Sequence, residues 1–404
     1  MAPYESDDSA GAEEVDDLRS GRRKAARYVV PVAVVGVAAA TIGLVPALAD
    51  SGDPNLPKIT AQQLIEKIAK SDVQQLSGTV KVSTDLGLPN LGGLESGLLS
   101  GATKGGDGSS ADPTSKLTEL AAGTHTLRVA ADGQDRQKVS LIESAAEYSL
   151  IHNGKNVWGY DSKSNEVYHG TAAEGEKKQS KHRDEVPATP KDFADEALKS
   201  VDDTTSVTVD GTAQVAGRDA YKLVVKPKHA SGTTVGVISI AVDAKTGLPL
   251  KFTLTPASGG AAVVDAGFTQ ISFAKPAAST FDFTPPKGAK VTEEKDKGAG
   301  ATAHSNESAP SRKDLAKSGP KVLGKGWNSI AVFDSGSKGG IPSSSGKGDL
   351  SRFLGSLGDH VSGKFGKGTV FSTRLVNALI TDNGKVYVGA VTKDALVKAA
   401  NAGQ

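Results

Sequence analysis

Cysteine is absent from this chain of 404 residues. Its absence excludes disulfide bonds, thiolate metal sites, cysteine nucleophiles and a lipid attached to a cysteine at a processed N-terminus. Aromatic residues are scarce at 5%, and the formal net charge is only +1. A nearly neutral chain has no overall field that would attract nucleic acid. Glycine is abundant, with 47 residues, which is typical of ordered domains joined by flexible connections.

Motifs for catalysis and metal binding are also lacking. The seven histidines are scattered, and only His125, His152 and His169 fall where neighbouring strands would bring them near one another. No G-x-S-x-G nucleophile motif occurs. Residues 340–348 and 363–368 are rich in glycine and lysine, but their spacing or context differs from that of a phosphate loop. We therefore expect a protein without enzymatic activity that holds no cofactor and no metal.

Residues 28–49 form an uncharged apolar run with basic residues before it and Asp50 after it. The run is long enough to cross a bilayer as a helix. The basic flank places residues 1–27, a polar and disordered segment, in the cytoplasm. Ala47 and Ala49 have the small side chains that signal peptidase prefers, so cleavage after Ala49 is the alternative to a retained anchor. In both cases the rest of the chain is predicted to be exported, either anchored to the membrane or secreted.

Residues 59–292 combine two helical patterns with many short strands. The helices are predicted at 59–71 and 190–201, where apolar residues recur at helical spacing. Asn153-Gly154 separates two strand-like runs and is a strong hairpin signal. Strands are predicted at 79–83, 124–131, 136–142, 147–152, 156–160, 166–168, 205–210, 212–216, 219–226, 235–243, 248–255 and 262–274. This order predicts an α+β fold in which helices pack on one side of a curved antiparallel sheet.

A second, smaller domain is predicted at the C-terminal end. Residues 293–319 have few large apolar side chains and are predicted to form a flexible linker. Residues 320–404 regain apolar patterning and form a small α+β domain of about 80 residues. Its strands are predicted at 327–333, 369–374, 376–381 and 385–391, and its helices at 349–361 and 393–401.

Five short motifs within residues 59–292 are similar to those of a known family. Together and in this order they resemble the LolA-like superfamily of extracytoplasmic lipoprotein carriers, which also includes the RseB/MucB regulators. The second motif has Asn153 where the family has aspartate. The motifs are residues 76–80, 152–161, 217–223, 242–249 and 281–289.

The resemblance implies an open half-barrel with an apolar concave side, covered by helices, that holds acyl chains. Large residues at every second strand position are the cavity candidates, and the alternative is that they fill an ordinary core. The candidates are Val80, Val82, Leu127, Val129, Val139, Leu141, Trp158, Tyr160, Tyr221, Leu223 and Val225.

A long insertion, residues 87–122, is too rich in leucine for a solvated turn. We expect it to cover the cavity mouth or to touch a membrane, and the alternative is a disordered insertion. Arg136 falls near the position where the resemblance implies a gating arginine, and the alternative is a solvated arginine on a strand. The lid leucines are Leu88, Leu91, Leu94, Leu98 and Leu99.

Three functions remain open. The first is a carrier whose half-barrel holds a lipid or the acyl chains of a lipoprotein at the cytoplasmic membrane. The second, implied by the RseB/MucB resemblance, is an envelope sensor that regulates a membrane-anchored anti-sigma factor through protein contact. The third is a structural envelope protein whose cavity is filled by side chains. In none of the three is nucleic acid a partner.

Overall fold

The computed structural model describes residues 54–87, 110–113, 116, 119–120, 122–171, 189–228, 231–293, 321–334 and 358–403. All of them belong to one compact unit, Pro54–Gln404. The predictions for residues 1–27, 28–49, Ala47, Ala49, 294–319 and the five lid leucines (Leu88, Leu91, Leu94, Leu98 and Leu99) lie outside the described residues. Among the residues that are described, no helix has both the length and the apolar character needed to cross a membrane.

The larger part of the molecule is a sheet of twelve strands. The strands are β1 (Gln75–Thr84), β2 (Gly123–Asp132), β3 (Arg136–Ile142), β4 (Glu147–Asn153), β5 (Asn156–Asp161), β6 (Glu166–Thr171), β7 (Thr205–Val215), β8 (Arg218–Pro227), β9 (Val235–Asp243), β10 (Pro249–Pro256), β11 (Val264–Ser272) and β12 (Lys290–Glu293). Their order is β12-β6-β5-β4-β3-β2-β1-β11-β10-β9-β8-β7. The sheet is curved and does not close, which confirms the predicted half-barrel.

Two runs of consecutive hairpins build this sheet, and they meet where β1 pairs with β11. Neighbouring strands are antiparallel, as predicted, except that β12 pairs with β6 in parallel. The predicted strands 205–210 and 212–216 form the single strand β7, in which the register shifts between Val209 and Thr212. A bulge of this kind bends a strand without ending it, so the break in apolar alternation there is not a turn.

Two helices cover the concave side of the sheet. They are α1 (Ala61–Ala69) and α2 (Pro190–Lys199). Each begins with a capping box, formed by Thr60 with Gln63 in α1 and by Thr189 with Asp192 in α2. The cap satisfies amide groups that the first helical turn leaves without partners.

The helix α1 packs on β7 and β8, and α2 packs on β10 and β11. Leu64 and Ile68 of α1 and Ala194 and Ala197 of α2 are buried in one cluster with strand residues that include Leu223. Burial of such side chains is the main favourable contribution to packing a helix on a sheet. The small alanines of α2 allow its backbone to lie close to the strands.

The C-terminal domain is a second sheet with one helix. Its elements are β13 (Lys321–Leu323), β14 (Ile330–Asp334), β15 (Asp359–Gly363), β16 (Gly366–Ser372), β17 (Asn377–Thr381), β18 (Lys385–Gly389) and α3 (Lys393–Ala402). The strand order is β13-β14-β18-β17-β16-β15. Leu379, Tyr387 and Leu396 lie in its buried core. This confirms the predicted small α+β domain.

Residues 359–361 differ from their prediction. They belong to β15 and not to a helix, because residues 359–363 pair with 366–370 across a tight turn. Gly366 adopts φ +92° in that turn, a conformation that glycine reaches without strain. Glu293 also differs, since it is the last residue of β12 and not the first residue of a linker.

The small domain is bound to one end of the half-barrel by specific polar contacts. The Thr234 amide donates to the Ala390 carbonyl at 3.0 Å, and the Thr392 amide donates to the Gly232 carbonyl at 2.8 Å. The Trp327 indole donates to the Thr205 hydroxyl at 2.8 Å. The first two bonds join backbone groups of both domains, so the contact has a defined register.

Candidate ligand-binding face

Nine of the eleven predicted cavity residues lie on one face of the large sheet. Val80 is directly opposite Leu127, and Leu127 is opposite Leu141. Residues two apart in a strand share a face, which adds Val82, Val129 and Val139. Across the β1–β11 pairing the same face continues to Tyr221, Leu223 and Val225 of β8, which contact the concave cluster under α1 and α2. We call this surface the concave face.

The nine side chains are covered. Eight of them are buried, with exposed fractions from 0% for Val80 to 8% for Val129 and Tyr221, and Val139 is half-buried. They belong to two adjoining apolar clusters, and Phe193 of α2 packs against both. The concave face is therefore one continuous apolar surface beneath its covers.

Trp158 and Tyr160 differ from the other nine residues. Their register places them on the opposite, convex face, where both rings pack against Phe283 at centroid distances of 5.5 and 5.6 Å. The concave positions of β5 are instead Gly159 and Asp161. A Cβ on Gly159 would lie 2.5 Å from the Ala111 carbonyl oxygen, so this position is kept small to admit the segment that covers it.

The end of the long insertion covers the β2–β6 half of the concave face. Ala111 and Leu120 are buried there. The Tyr148 hydroxyl donates to the Ala111 carbonyl at 3.2 Å, and the Thr84 hydroxyl donates to the Leu120 carbonyl at 3.1 Å. Burial raises the pKa of Tyr148, so its hydroxyl keeps the proton that it donates. The described residues of the insertion thus cover this half of the sheet, whereas the five lid leucines lie outside them.

An ion cluster fastens this cover to the sheet. Lys116 lies 3.4 Å from Glu119, 3.2 Å from Glu143 and 3.5 Å from Asp161, and its side chain is only 11% exposed. Burial alone would lower the pKa of Lys116, but the surrounding carboxylates more than offset this and leave it raised. Charged contacts of this kind have a strong geometric preference and define the position of the cover.

Arg136 is the remaining predicted lid residue, and it lies away from the concave face. It begins β3 opposite Asn153, a register that places it on the convex side. Its guanidinium pairs with Asp132, which Lys275 approaches to 3.7 Å. The contacts of Arg136 are those of the turn that joins the end of β2 to the start of β3.

The three histidines considered for a metal site are separate. His125 and His152 each bind a backbone carbonyl nearby, while His169 binds Glu293 at 2.7 Å and Asn156 at 3.1 Å. Within the described residues no cluster of three or more histidine, aspartate or glutamate side chains has the arrangement of a metal site.

Comparison with known proteins was made on sequence and on structure. No family model and no curated protein matches the chain. A chain of the Pseudomonas aeruginosa MucA/MucB complex matches at 15% identity and TM-score 0.41, over 84% of this chain and 96% of that chain. The LolA superfamily protein NE2245 from Nitrosomonas europaea matches at 12% identity and TM-score 0.22, over 56% of this chain and 99% of that chain.

A putative outer membrane lipoprotein-sorting protein domain from Vibrio parahaemolyticus matches at 10% identity and TM-score 0.22, over 55% of this chain and 96% of that chain. The chain is similar to LolA-like proteins. At such low identities and TM-scores, we carry no ligand or partner over from them.

Three motif residues, Val80, Tyr221 and Leu223, lie on the concave face, and other motif residues hold turns of the fold. Asp243 pairs with Arg218 and accepts hydrogen bonds from the amides of Lys245 at 3.0 Å and Thr246 at 2.6 Å. Burial would raise the pKa of Asp243, but Arg218 and Thr246 outweigh it and hold that pKa below its ordinary value. This links the third motif to the fourth.

In the same way the second motif meets the fifth, because the Asn153 side chain donates to the Phe281 carbonyl at 3.3 Å. The segment that includes Phe281 and Phe283 lies along the convex face, where Phe281 is fully buried. The motifs therefore report on turns and on the packing of this segment.

Proposed function

We propose that this chain is an extracytoplasmic LolA-like binding protein that holds a lipid, or the acyl chains of a lipoprotein, in its half-barrel for transport or presentation. The observation that carries the proposal is the way the concave face is covered. Its apolar surface lies beneath α1, α2 and the end of the insertion, which are separate pieces and not a second sheet.

Such a cover suits a hydrophobic ligand. Each CH₂ group removed from water contributes about 0.8 kcal/mol, so an acyl chain gains much by replacing cover side chains against the sheet. The covers are tied to the sheet at a few polar points, such as the Tyr148–Ala111 bond and the Lys116 cluster. Local opening of pieces held in this way costs less than unfolding the sheet.

A substitution on the concave face tests the proposal. Val139→Trp adds a large side chain to a half-buried concave position, whereas Lys138→Trp places the same ring on the other face of β3. The full chain would be purified in mild detergent, and bound lipid identified by extraction and mass spectrometry. We expect V139W to retain several-fold less lipid than K138W and to take up less fluorescent fatty acid.

Circular dichroism and thermal melting would establish that both variants fold. Equal lipid content in V139W, K138W and the unchanged chain would contradict a ligand on the concave face. A complete lack of acyl species and of fatty-acid uptake in the unchanged chain would favour the third alternative, a half-barrel filled by its own side chains.

The compartment is part of the same proposal. Export follows from the apolar run 28–49, and a product cleaved after Ala49 would diffuse between membranes. A retained run would leave only the short stretch 50–58 before the fold and would keep the half-barrel near the cytoplasmic membrane. Sequencing the N-terminus of the mature protein distinguishes shuttling from local presentation.

One observation favours the second candidate, a sensor that acts through a membrane-anchored regulatory protein. The small domain contacts the half-barrel where the insertion leaves β1, since Arg374 binds Asp85 at 2.6 Å and its amide binds the Leu86 carbonyl at 2.8 Å. A conformational change in the insertion would therefore alter the contacts of Arg374 in the small domain. If the membrane partners captured by the chain stay the same after deletion of residues 320–404, a regulatory C-terminal domain is contradicted.

A further inference from the structure

A groove of about 810 Å³ lies between α1, the segment that precedes it and the turn that follows β9. Four lysines line this groove, and we call it the cationic groove: Lys58, Lys67, Lys70 and Lys245. Three of these side chains are exposed and Lys67 is half-buried, so their ammonium groups are available to a ligand.

The floor of the cationic groove is apolar and continuous with the concave face. Ile59, Val73 and Tyr221 line it. Tyr221 is one of the nine concave residues, and Ile59 packs against the same buried cluster. Val73 packs against the adjoining cluster that contains Val80. The groove therefore joins a charged rim to the apolar surface proposed to hold acyl chains.

The rim has an excess of positive charge. Glu66 and Asp72 are the acidic residues among those that line the groove, against four lysines. Glu66 lies 3.8 Å from Lys70, and both side chains are largely exposed. Asp243 is nearby in sequence, but its carboxylate is buried and bound to Arg218. Two positive charges are thus left over on the rim.

The backbone that carries the lysines is fixed by specific contacts. The Tyr221 hydroxyl donates to the Pro57 carbonyl at 3.0 Å, which holds the segment before α1. The Asp243 carboxylate shapes the turn that carries Lys245. Gly247 adopts φ +77° in this turn and touches the Lys67 carbonyl so closely that a Cβ would overlap it. The two walls of the groove are therefore in contact and in register.

We propose that the cationic groove binds the phosphate-bearing headgroup of an anionic membrane phospholipid, whose acyl chains extend onto the concave face. This rests on the proposed function for the placement of the acyl chains. The rim supplies charge for one or two phosphate oxygens, and lysine binds phosphate as a mobile point charge. Free phosphate would gain nothing from the apolar floor, which is why we assign a lipid.

The test compares two variants that remove the same charge. In the first, Lys58, Lys67, Lys70 and Lys245 are each changed to glutamine. In the matched control, four exposed lysines elsewhere are changed to glutamine: Lys81, Lys163, Lys226 and Lys287. The full chain in nonionic micelles would be titrated with phosphatidylglycerol or phosphatidylcholine, each with a fluorescent acyl chain, and anisotropy measured.

We expect the groove variant to bind phosphatidylglycerol at least about tenfold more weakly, with little change for phosphatidylcholine. The control variant should bind both lipids as the unchanged chain does. Added salt should weaken phosphatidylglycerol binding in the unchanged chain and have less effect in the groove variant.

Other outcomes would overturn the inference. Equal loss in the groove and control variants would indicate a general charge effect. Displacement of the lipid by millimolar inorganic phosphate would indicate a simple anion site. If the unchanged chain binds both lipids equally and the groove variant alters neither, the groove assignment fails while the carrier function stands. If the unchanged chain binds neither lipid, the carrier function fails as well.

Discussion

Glu166 shows how one carboxylate joins segments that are far apart in the sequence. It accepts hydrogen bonds from Lys290 at 3.0 Å and from the amide and hydroxyl of Ser110 at 2.8 and 2.9 Å. Lys290 begins β12, and Ser110 is where the described part of the insertion resumes. The Lys290 bond, followed by those from Ser110, lowers the pKa of Glu166 to about 2.

This depressed pKa predicts an acid-sensitive contribution to stability. The folded pKa lies below the ordinary glutamate value of 4.5, so the contribution is present above pH 4.5 and is lost as the pH falls towards 2. Glu166→Gln should lower the free energy of unfolding at pH 7 by about 1 kcal/mol and reduce the loss of stability between pH 4.5 and 2. Thermal melting followed by circular dichroism over this pH range measures both effects.

Glu66→Gln is the control, since Glu66 is exposed on α1, accepts a hydrogen bond from Gln62 at 3.3 Å and lies 3.8 Å from Lys70. An acid profile of E166Q that matches that of the unchanged chain would show that Glu166 does not carry the effect.

At the residue scale, sequence reasoning found the concave face but misplaced two of its members. Alternation in β1, β2, β3 and β8 places large apolar side chains inwards, so the pattern alone was sufficient there. In β5 the large residues Trp158 and Tyr160 point outwards, because the inward position Gly159 must admit Ala111. No pattern within β5 contains that information, since it depends on a segment almost 50 residues earlier.

At the element scale, strands joined by short turns and helices with threonine caps were predictable from local signals. β12 was not predictable, because it has four residues and its partner β6 is more than a hundred residues earlier. Residues 359–361 were predicted to be helical but form part of β15, and here the local signal was present but misleading. An apolar spacing that suggested a helix continued into a segment whose pairing with β16 was stronger.

The packing of Phe283, which lies in the segment between β11 and β12, leads to a testable prediction. Its ring packs on Trp158 and Tyr160, and Trp158 in turn stacks on His169 at 3.8 Å. Phe283→Ala should lower the free energy of unfolding by about 2 kcal/mol and shift tryptophan fluorescence to longer wavelength, because the convex face becomes wet. Urea denaturation followed by fluorescence gives both quantities.

Val291→Ala, at an exposed position of β12, the strand that follows this segment, should change neither. A normal unfolding curve for F283A would mean that the segment is held by its backbone bonds and not by this aromatic cluster.

At the scale of the whole molecule, Arg374 is the residue that ties the two sheets together most directly. Its guanidinium binds the Asp85 carboxylate at 2.6 Å and also donates to the Ala261 carbonyl. Asp85 and Ala261 flank the β1–β11 pairing, so the small domain is bound at the junction of the two hairpin runs. The sequence predicted two domains but gave no sign of this contact, because Arg374 is 289 residues from Asp85.

Removing this arginine should separate the unfolding of the two domains. Arg374→Ala leaves Asp85 without its charged partner and is expected to convert one cooperative transition into two, as scanning calorimetry would detect. Lys385→Ala is the control, since the Lys385 ammonium group donates within the small domain, to the Gly403 carbonyl at 3.4 Å. A single transition in R374A at the original temperature would contradict this role.

The pairing of β1 with β11 also has a consequence for biogenesis. Strands β1–β6 form one meander and β7–β11 a second, and each can assemble from its own hairpins as the chain folds. The outer edge of β1 keeps its amides and carbonyls unpaired until β11, about 180 residues later, is available to pair with it. During that interval the half-made barrel presents both an open strand edge and an uncovered apolar face. A holding chaperone is therefore expected to engage this chain before β11 arrives, and to release it once the two meanders join.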